Sequence, residues 1–210
     1  MSTRLIRVAR RAALLTAAVA AILPVGAAHA ALIETDPCDD SALTQSFKRW
    51  GDPAYYKLAP GGDFENGLAG MAVRGNASIV SESEPWGVTG KVGSKALKLA
   101  PGASVTLPAT CVNAGNPSYR FFTRSSGGLL GLLPLMKVEL VYRDSLLGLV
   151  ALPLGTALPS SGWQPSLPML TASAVAAAIS NGEDQLSLRF TSITGTWKID
   201  DVLVDPYRRA

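Results

Sequence analysis

The chain has 210 residues, with 19 Lys and Arg, 16 Asp and Glu, and a single histidine, His29. Four of the basic residues and the histidine lie within positions 1–30, where there is no acid; taking those 4 from 19 leaves 15 basic against 16 acidic side chains over 31–210. With no imidazole beyond position 30, Ser-His-acid and Cys-His catalysis and imidazole metal sites are excluded there, and the near-neutral charge gives no concentrated basic surface for nucleic acid.

Residues 1–30 read as a secretory signal peptide. Arg4, Arg7, Arg10 and Arg11 precede an apolar run over 12–25, and Ala28-His29-Ala30 fits a small-x-small cleavage pattern. The run is short for a membrane span and ends at Pro24 and Gly26. Arg10-Arg11 suits twin-arginine export poorly, given the Ala12-Ala13-Leu14 that follows. Cleavage near Ala30 would deliver a secreted protein with no membrane attachment. In that oxidising setting Cys38 and Cys111 are expected to form a disulfide. Closing a loop of about 72 residues would contribute on the order of 4 kcal/mol.

Residues 31–60 read as an N-terminal arm. Trp50, Tyr55 and Tyr56 sit among Gly51, Pro53 and Pro60 with little periodicity, and a helical turn over 41–49 would be capped by Ser41. Residues 61–210 read as one domain of strands. Lys95-Ala96-Leu97-Lys98-Leu99 alternates, as does Ser104-Val105-Thr106-Leu107. Met136, Val138, Leu140 and Tyr142 share a face, as do Leu186, Leu188 and Phe190. Gly and Pro clusters separate these runs, which argues for an antiparallel β-sandwich. The apolar stretch 129–158 is broken by Lys137, Glu139, Arg143, Asp144 and three prolines, so it reads as buried strands. One helix is expected over 172–179, closed by Asn181-Gly182.

The last strand, over 197–205, carries Asp200 and Asp201 among apolar residues. Strict alternation places Asp201 in phase with Trp197, Ile199 and Leu203. A carboxylate in that phase must be paired, hydrogen-bonded or metal-bound.

Gly61-Gly62-Asp63-Phe64-Glu65-Asn66-Gly67 and Ile199-Asp200-Asp201-Val202 resemble the two terminal signatures of the galactose-binding-like jelly roll. Many carbohydrate-binding modules of secreted glycoside hydrolases share that fold, as do uncharacterised bacterial secreted proteins. The resemblance implies first and last strands that lie together and hold a structural calcium. Glu65 and Asp201 would supply its carboxylates, with Asp63 and Asp200 as alternates should a bulge swap the faces. The other reading is that these carboxylates accept backbone hydrogen bonds or pair with Arg or Lys. Sugar sites in such folds use aromatic platforms beside polar groups. The candidates are Trp86, Trp163, Arg120, Tyr142 and Arg143, with core packing and solvated strand faces as the alternatives.

No Gly-x-Ser-x-Gly elbow, dinucleotide glycine pattern or phosphate loop is present. A paired-carboxylate glycosidase needs no histidine and stays open, with Glu65 and Asp201 or Glu82 and Glu84 as the pairs. The expected protein is thus a secreted, monomeric, jelly-roll β-sandwich that binds carbohydrate or a cell-envelope glycan without catalysis. The alternatives are a structural or interaction protein of the cell surface and, third, a glycan-cleaving enzyme.

Overall fold

The computed structural model describes residues 43–113, 118–128, 133–144, 148–170 and 183–205. Positions 1–30, Cys38, Ser41 and the helix expected over 172–179 lie outside them. Residues 31–210 form one compact unit.

The described strands build two antiparallel sheets. The first contains β1 (Lys57–Leu58), β3 (Ala77–Val80), β4 (Ala96–Leu99), β7 (Ser118–Ser126), β10 (Gln164–Pro165), β11 (Met169–Leu170) and β13 (Thr196–Asp205). Its order is β10-β7-β13-β4-β3, with β1 on β13 and β11 on β7. The second contains β2 (Ala72–Arg74), β5 (Ser104–Thr106), β6 (Thr110–Asn113), β8 (Leu135–Asp144), β9 (Gly148–Ala157) and β12 (Glu183–Thr194). Its order is β2-β5-β12-β8-β9, with β6 on β12. The apolar stretch is therefore mostly the β8–β9 hairpin. No helix among the described residues is long and apolar enough to cross a membrane.

The main core lies between the sheets and follows the expected alternation. Leu97 and Leu99, Tyr119 and Phe121, and Trp197 and Ile199 enter it from the first sheet. Met136, Val138 and Leu140, with Leu186, Leu188 and Phe190, enter it from the second. Phe121 and Phe190 meet edge to face across the gap, with ring centroids 4.9 Å apart.

A second, smaller core lies on the other side of the first sheet. Phe47, Tyr56, Phe122 and Leu203 are buried there, with Trp50, Trp86 and Trp163 packed around them. The chain over 43–60 supplies much of this layer. Thr44 and Tyr56 bridge through paired backbone hydrogen bonds of 2.9 and 2.8 Å. A 3-10 turn over Lys48–Trp50 ends at Gly51, whose φ of +83° suits glycine. Phe47 then stacks on Phe122 at 5.3 Å.

The last strand departs from strict alternation. Its register on β7 shifts between Asp200 and Leu203, and Asp201 has a φ of +41°. Past this bulge Val202 and Val204 enter the main core, while Leu203 enters the second. Leu203 is therefore out of phase with Trp197 and Ile199, contrary to the pattern read from the sequence, because the extra residue flips the side-chain phase. The Gly61–Gly67 stretch is a run of turns, not a strand, and Phe64 there has a φ of +55°. It still meets the last strand, through Val202 N–H donating to the Gly62 carbonyl at 3.0 Å.

Candidate functional site

The outer face of the first sheet carries the richest set of exposed chemistry. Lys98, Lys198 and Arg124 alternate with core residues on β4, β13 and β7, so their side chains leave from this face. Glu82, in the segment after β3, reaches over it. Its Oε1 accepts from Arg124 Nη1 at 2.6 Å and from the Trp163 indole Nε1–H at 3.1 Å, and Lys198 donates to its Oε2. Burial pushes this carboxyl up, but Lys198 and Arg124 outweigh it and hold it below the ordinary value.

Trp163 and Trp86 are both half-buried, their inner surfaces against the second core. Trp86 meets Trp50 edge to face at 5.1 Å, and the exposed Arg49 guanidinium sits 4.9 Å from the Trp50 ring centroid and 5.8 Å from that of Trp86. Tryptophan rings thus border a strip of charged and polar groups.

Arg120 stands on the same face but is buried, 5% exposed. Its Nε and Nη2 both donate to the Ser166 carbonyl, at 3.0 and 2.7 Å, and its Nη1 to Asp52 at 2.7 Å. Its guanidinium carbon lies 4.1 Å from the Phe47 centroid. These contacts fasten the arm to the sheet. Tyr142 packs against the main core from the second sheet, and Arg143 is exposed on the same strand. The five ligand candidates therefore divide between the sheets, with Trp86 and Trp163 beside the exposed strip.

The acidic candidates separate as well. Glu65 is taken up by Ser94 and Lys95: Oε1 accepts from their backbone N–H groups at 2.6 and 2.9 Å, and Oε2 from Ser94 Oγ at 2.7 Å. The Ser94 bonds lead in holding its carboxyl below the ordinary value. Asp63 Oδ1 accepts from Glu65 N–H at 3.3 Å.

Asp200, Asp201 and Glu84 are all buried, at 1%, 5% and 0% exposure. Asp200 Oδ2 accepts from Ser83 Oγ and Glu84 N–H, both at 2.8 Å, and Oδ1 from Asp201 N–H at 2.9 Å. Glu84 accepts from the N–H groups of Trp86 and Val88 at 2.5 and 3.2 Å. None of these bonds brings a cation. Burial pushes both aspartates up, and their neighbouring carboxylates add to it, most of all for Asp201, which also shares a hydrogen bond with Glu84. Among the described residues no three Asp, Glu, His or Cys side chains converge in an arrangement that could hold a metal ion.

The sequence did not single out Lys98, Lys198, Trp50 or Arg49. The outward phase of the two lysines was readable from their strands, but the pairing that brings them together was not.

No known sequence family matches the chain, and no curated protein does. Solved structures do. A xylan-binding family 22 carbohydrate-binding domain from Paenibacillus barcinonensis aligns with a TM-score of 0.46 and 13% identity over 70% of this chain and 93% of its own. A Clostridium thermocellum xylanase portion, a family 22 module with its catalytic module complexed with xylohexaose, aligns with a TM-score of 0.50 and 12% identity. That alignment covers 68% of this chain and 27% of the larger protein. A family 16 carbohydrate-binding module aligns with a TM-score of 0.45 and 16% identity, over 70% of this chain and 99% of its own. The chain has the jelly-roll β-sandwich fold seen in these carbohydrate-binding modules.

Proposed function

We propose that this protein is an exported, noncatalytic glycan-binding protein whose binding surface is the outer face of the first sheet. The observation that carries this is the half-exposed Trp163 and Trp86 beside the Glu82–Arg124–Lys198 cluster. Flat aromatic faces stack on sugar rings, and the charged groups around them supply directional hydrogen bonds to hydroxyls. Glycan cleavage is disfavoured by the same geometry. Glu82 is held ionised by two cations, which unsuits it as a general acid, and the Asp200–Asp201–Glu84 group is buried away from any polymer.

The test is affinity electrophoresis against a panel of plant and cell-envelope polysaccharides, xylan included. Retention is expected on at least one polymer and is expected to fall about tenfold in Trp163→Ala, in a variant that melts lower but is still folded at the assay temperature. Absence of retention on every polymer would favour the structural-protein alternative.

Calcium at the seam between the Gly61–Gly67 turn and the last strand belongs to the same reading. Three observations support it. Asp200, Asp201 and Glu84 are buried without a cation. Phe64 and Asp201 are the two non-glycine residues with positive φ among the described residues, and both flank the Gly62–Val202 bond. Carboxylate and carbonyl oxygens are the donors calcium takes. The ligands would be Asp201 with Asp200, Glu84 and Asp63, which must turn toward one point, since no three converge as placed. Glu65, engaged by Ser94 and Lys95, suits the role less. Chelator is expected to lower the Tm and added calcium to restore it. A Tm unmoved by chelator would leave a shared proton between Asp201 and Glu84 as the account of the cluster.

A further inference from the structure

One transverse row of the first sheet sets like charges directly opposite each other. Lys98 of β4 pairs with Lys198 of β13, and Lys198 pairs on its other side with Arg124 of β7. Ser78 of β3 continues the row beyond Lys98, and Trp163, next to the Gln164 that faces Thr123, closes its other end. Adjacent strands lie about 4.8 Å apart, so three cationic stems leave the face within about 10 Å. Like charges directly opposite are destabilising.

The second sheet shows the ordinary solution. There Arg189 stands directly opposite Glu139 and bonds it at 2.8 Å, and Lys137 joins the same carboxylate at 2.9 Å. The first sheet places no acid in the row itself. One carboxylate, Glu82, serves both Arg124 and Lys198. The Lys98 side chain has no hydrogen bond or ion pair among the described residues. Of the other acids of this face, Asp200 and Glu84 are buried under the 83–88 segment and bonded to backbone N–H groups and Ser83, and Asp52 is bonded to Arg120. The row thus presents an excess of positive charge beside a tryptophan, on a face otherwise open over Ser78 and Lys98.

We propose that this row is an anion subsite, and that the glycan it takes is an acidic polysaccharide. Strand spacing is close to the length of one sugar unit, so cations on successive strands match charges carried on successive sugars. Trp163 would stack on a ring while Lys98, Lys198 and Arg124 receive its carboxylate or sulfate. The inference rests on the glycan-binding reading and deepens it.

The experiment measures binding of the full chain to polygalacturonate, dextran sulfate and neutral xylan at low and at high salt. At low salt, binding at least tenfold tighter to an acidic polymer than to xylan is expected, weakening as salt screens the row. Preference for polygalacturonate identifies the anion as a carboxylate, and preference for dextran sulfate as a sulfate. The double variant Lys98→Gln/Lys198→Gln should lose at least fivefold on the preferred polymer, and lose more there than on any neutral polymer bound. Arg74→Gln, on the second sheet, should match wild type. Relief of the Lys98–Lys198 repulsion should leave the Tm of Lys98→Gln unchanged or raised, which guards against loss of binding through unfolding. Equal affinity for neutral and acidic polymers, or an unaffected double variant, overturns the anion subsite while leaving glycan binding standing. No binding to any polymer overturns both.

Discussion

Asp52 and Arg120 illustrate how much one buried pair controls. Arg120 spends three donors on Ser166 and Asp52, and Asp52 also accepts from Tyr56 Oη at 2.7 Å and Ala54 N–H at 3.0 Å. Burial raises the Asp52 carboxyl, but Tyr56, Ala54 and Arg120 together bring it below its ordinary value of 3.8. A carboxylate lowered on folding contributes stability that is complete above its unfolded pKa and is lost as pH falls through the folded one. Asp52→Asn should therefore cost about 3 kcal/mol at neutral pH by leaving a buried guanidinium uncompensated. In urea titrations its stability should also vary less below about pH 4 than that of wild type. Tyr119 is the opposite case. Its hydroxyl is buried in the main core with no hydrogen-bond partner among the described residues, and burial raises its pKa. Tyr119→Phe removes that orphan and should stabilise by about 1 kcal/mol, read as a rise in Tm.

At the level of elements, what the sequence made legible depended on burial of one face or two. Strands β8 and β12 turn one face to the core, so Met136, Val138 and Leu140, or Leu186, Leu188 and Phe190, declare the strand and its orientation. From Ile199 to Val204, strand β13 is buried on both faces, by the main core and by the segments packed on the outer face, so its hydrophobicity carries no phase there. The bulge at Asp201 has no side-chain signature of its own, so strict alternation assigns Leu203 to the wrong face. The Gly61–Gly67 motif did mark a meeting with the last strand, but by close approach of turns. A Cβ added at Gly62 would lie 2.6 Å from the Val202 carbonyl oxygen and 3.0 Å from that of Ala59. Backbone atoms there cannot yield cheaply, so Gly62→Ala should cost about 3 kcal/mol in denaturant unfolding.

For the whole molecule, the fold class was legible because strand runs and turn signals recur along the chain. The candidate site was not, because Ser78, Lys98, Arg124 and Lys198 come from four distant segments and meet only through long-range pairing. Trp86 was found as an aromatic beside an acidic turn, yet Glu82 in that same turn gained its role only from partners on β7 and β13. The described part of the arm packs on the first sheet and caps Phe122 and Leu203, which would otherwise be an apolar patch on a sheet face. Removing residues 31–56 should therefore expose that patch, increase binding of a hydrophobic dye and promote self-association, measurable by light scattering.

The pairing of β1 with β13 also fixes how the domain answers a pull. Lys57 lies opposite Val204 and Leu58 opposite Leu203, so the chain comes into the first of these strands and leaves the last from the same end of the ladder. Tension applied through the flanking polypeptide first loads the Thr44–Tyr56 bridge and the Asp52–Arg120 pair, and then these hydrogen bonds one pair at a time, as in opening a zipper, and not all together in shear. A glycan held across β4, β13 and β7 would lie over strands deeper in the sheet, so the tether could peel before the grip is lost.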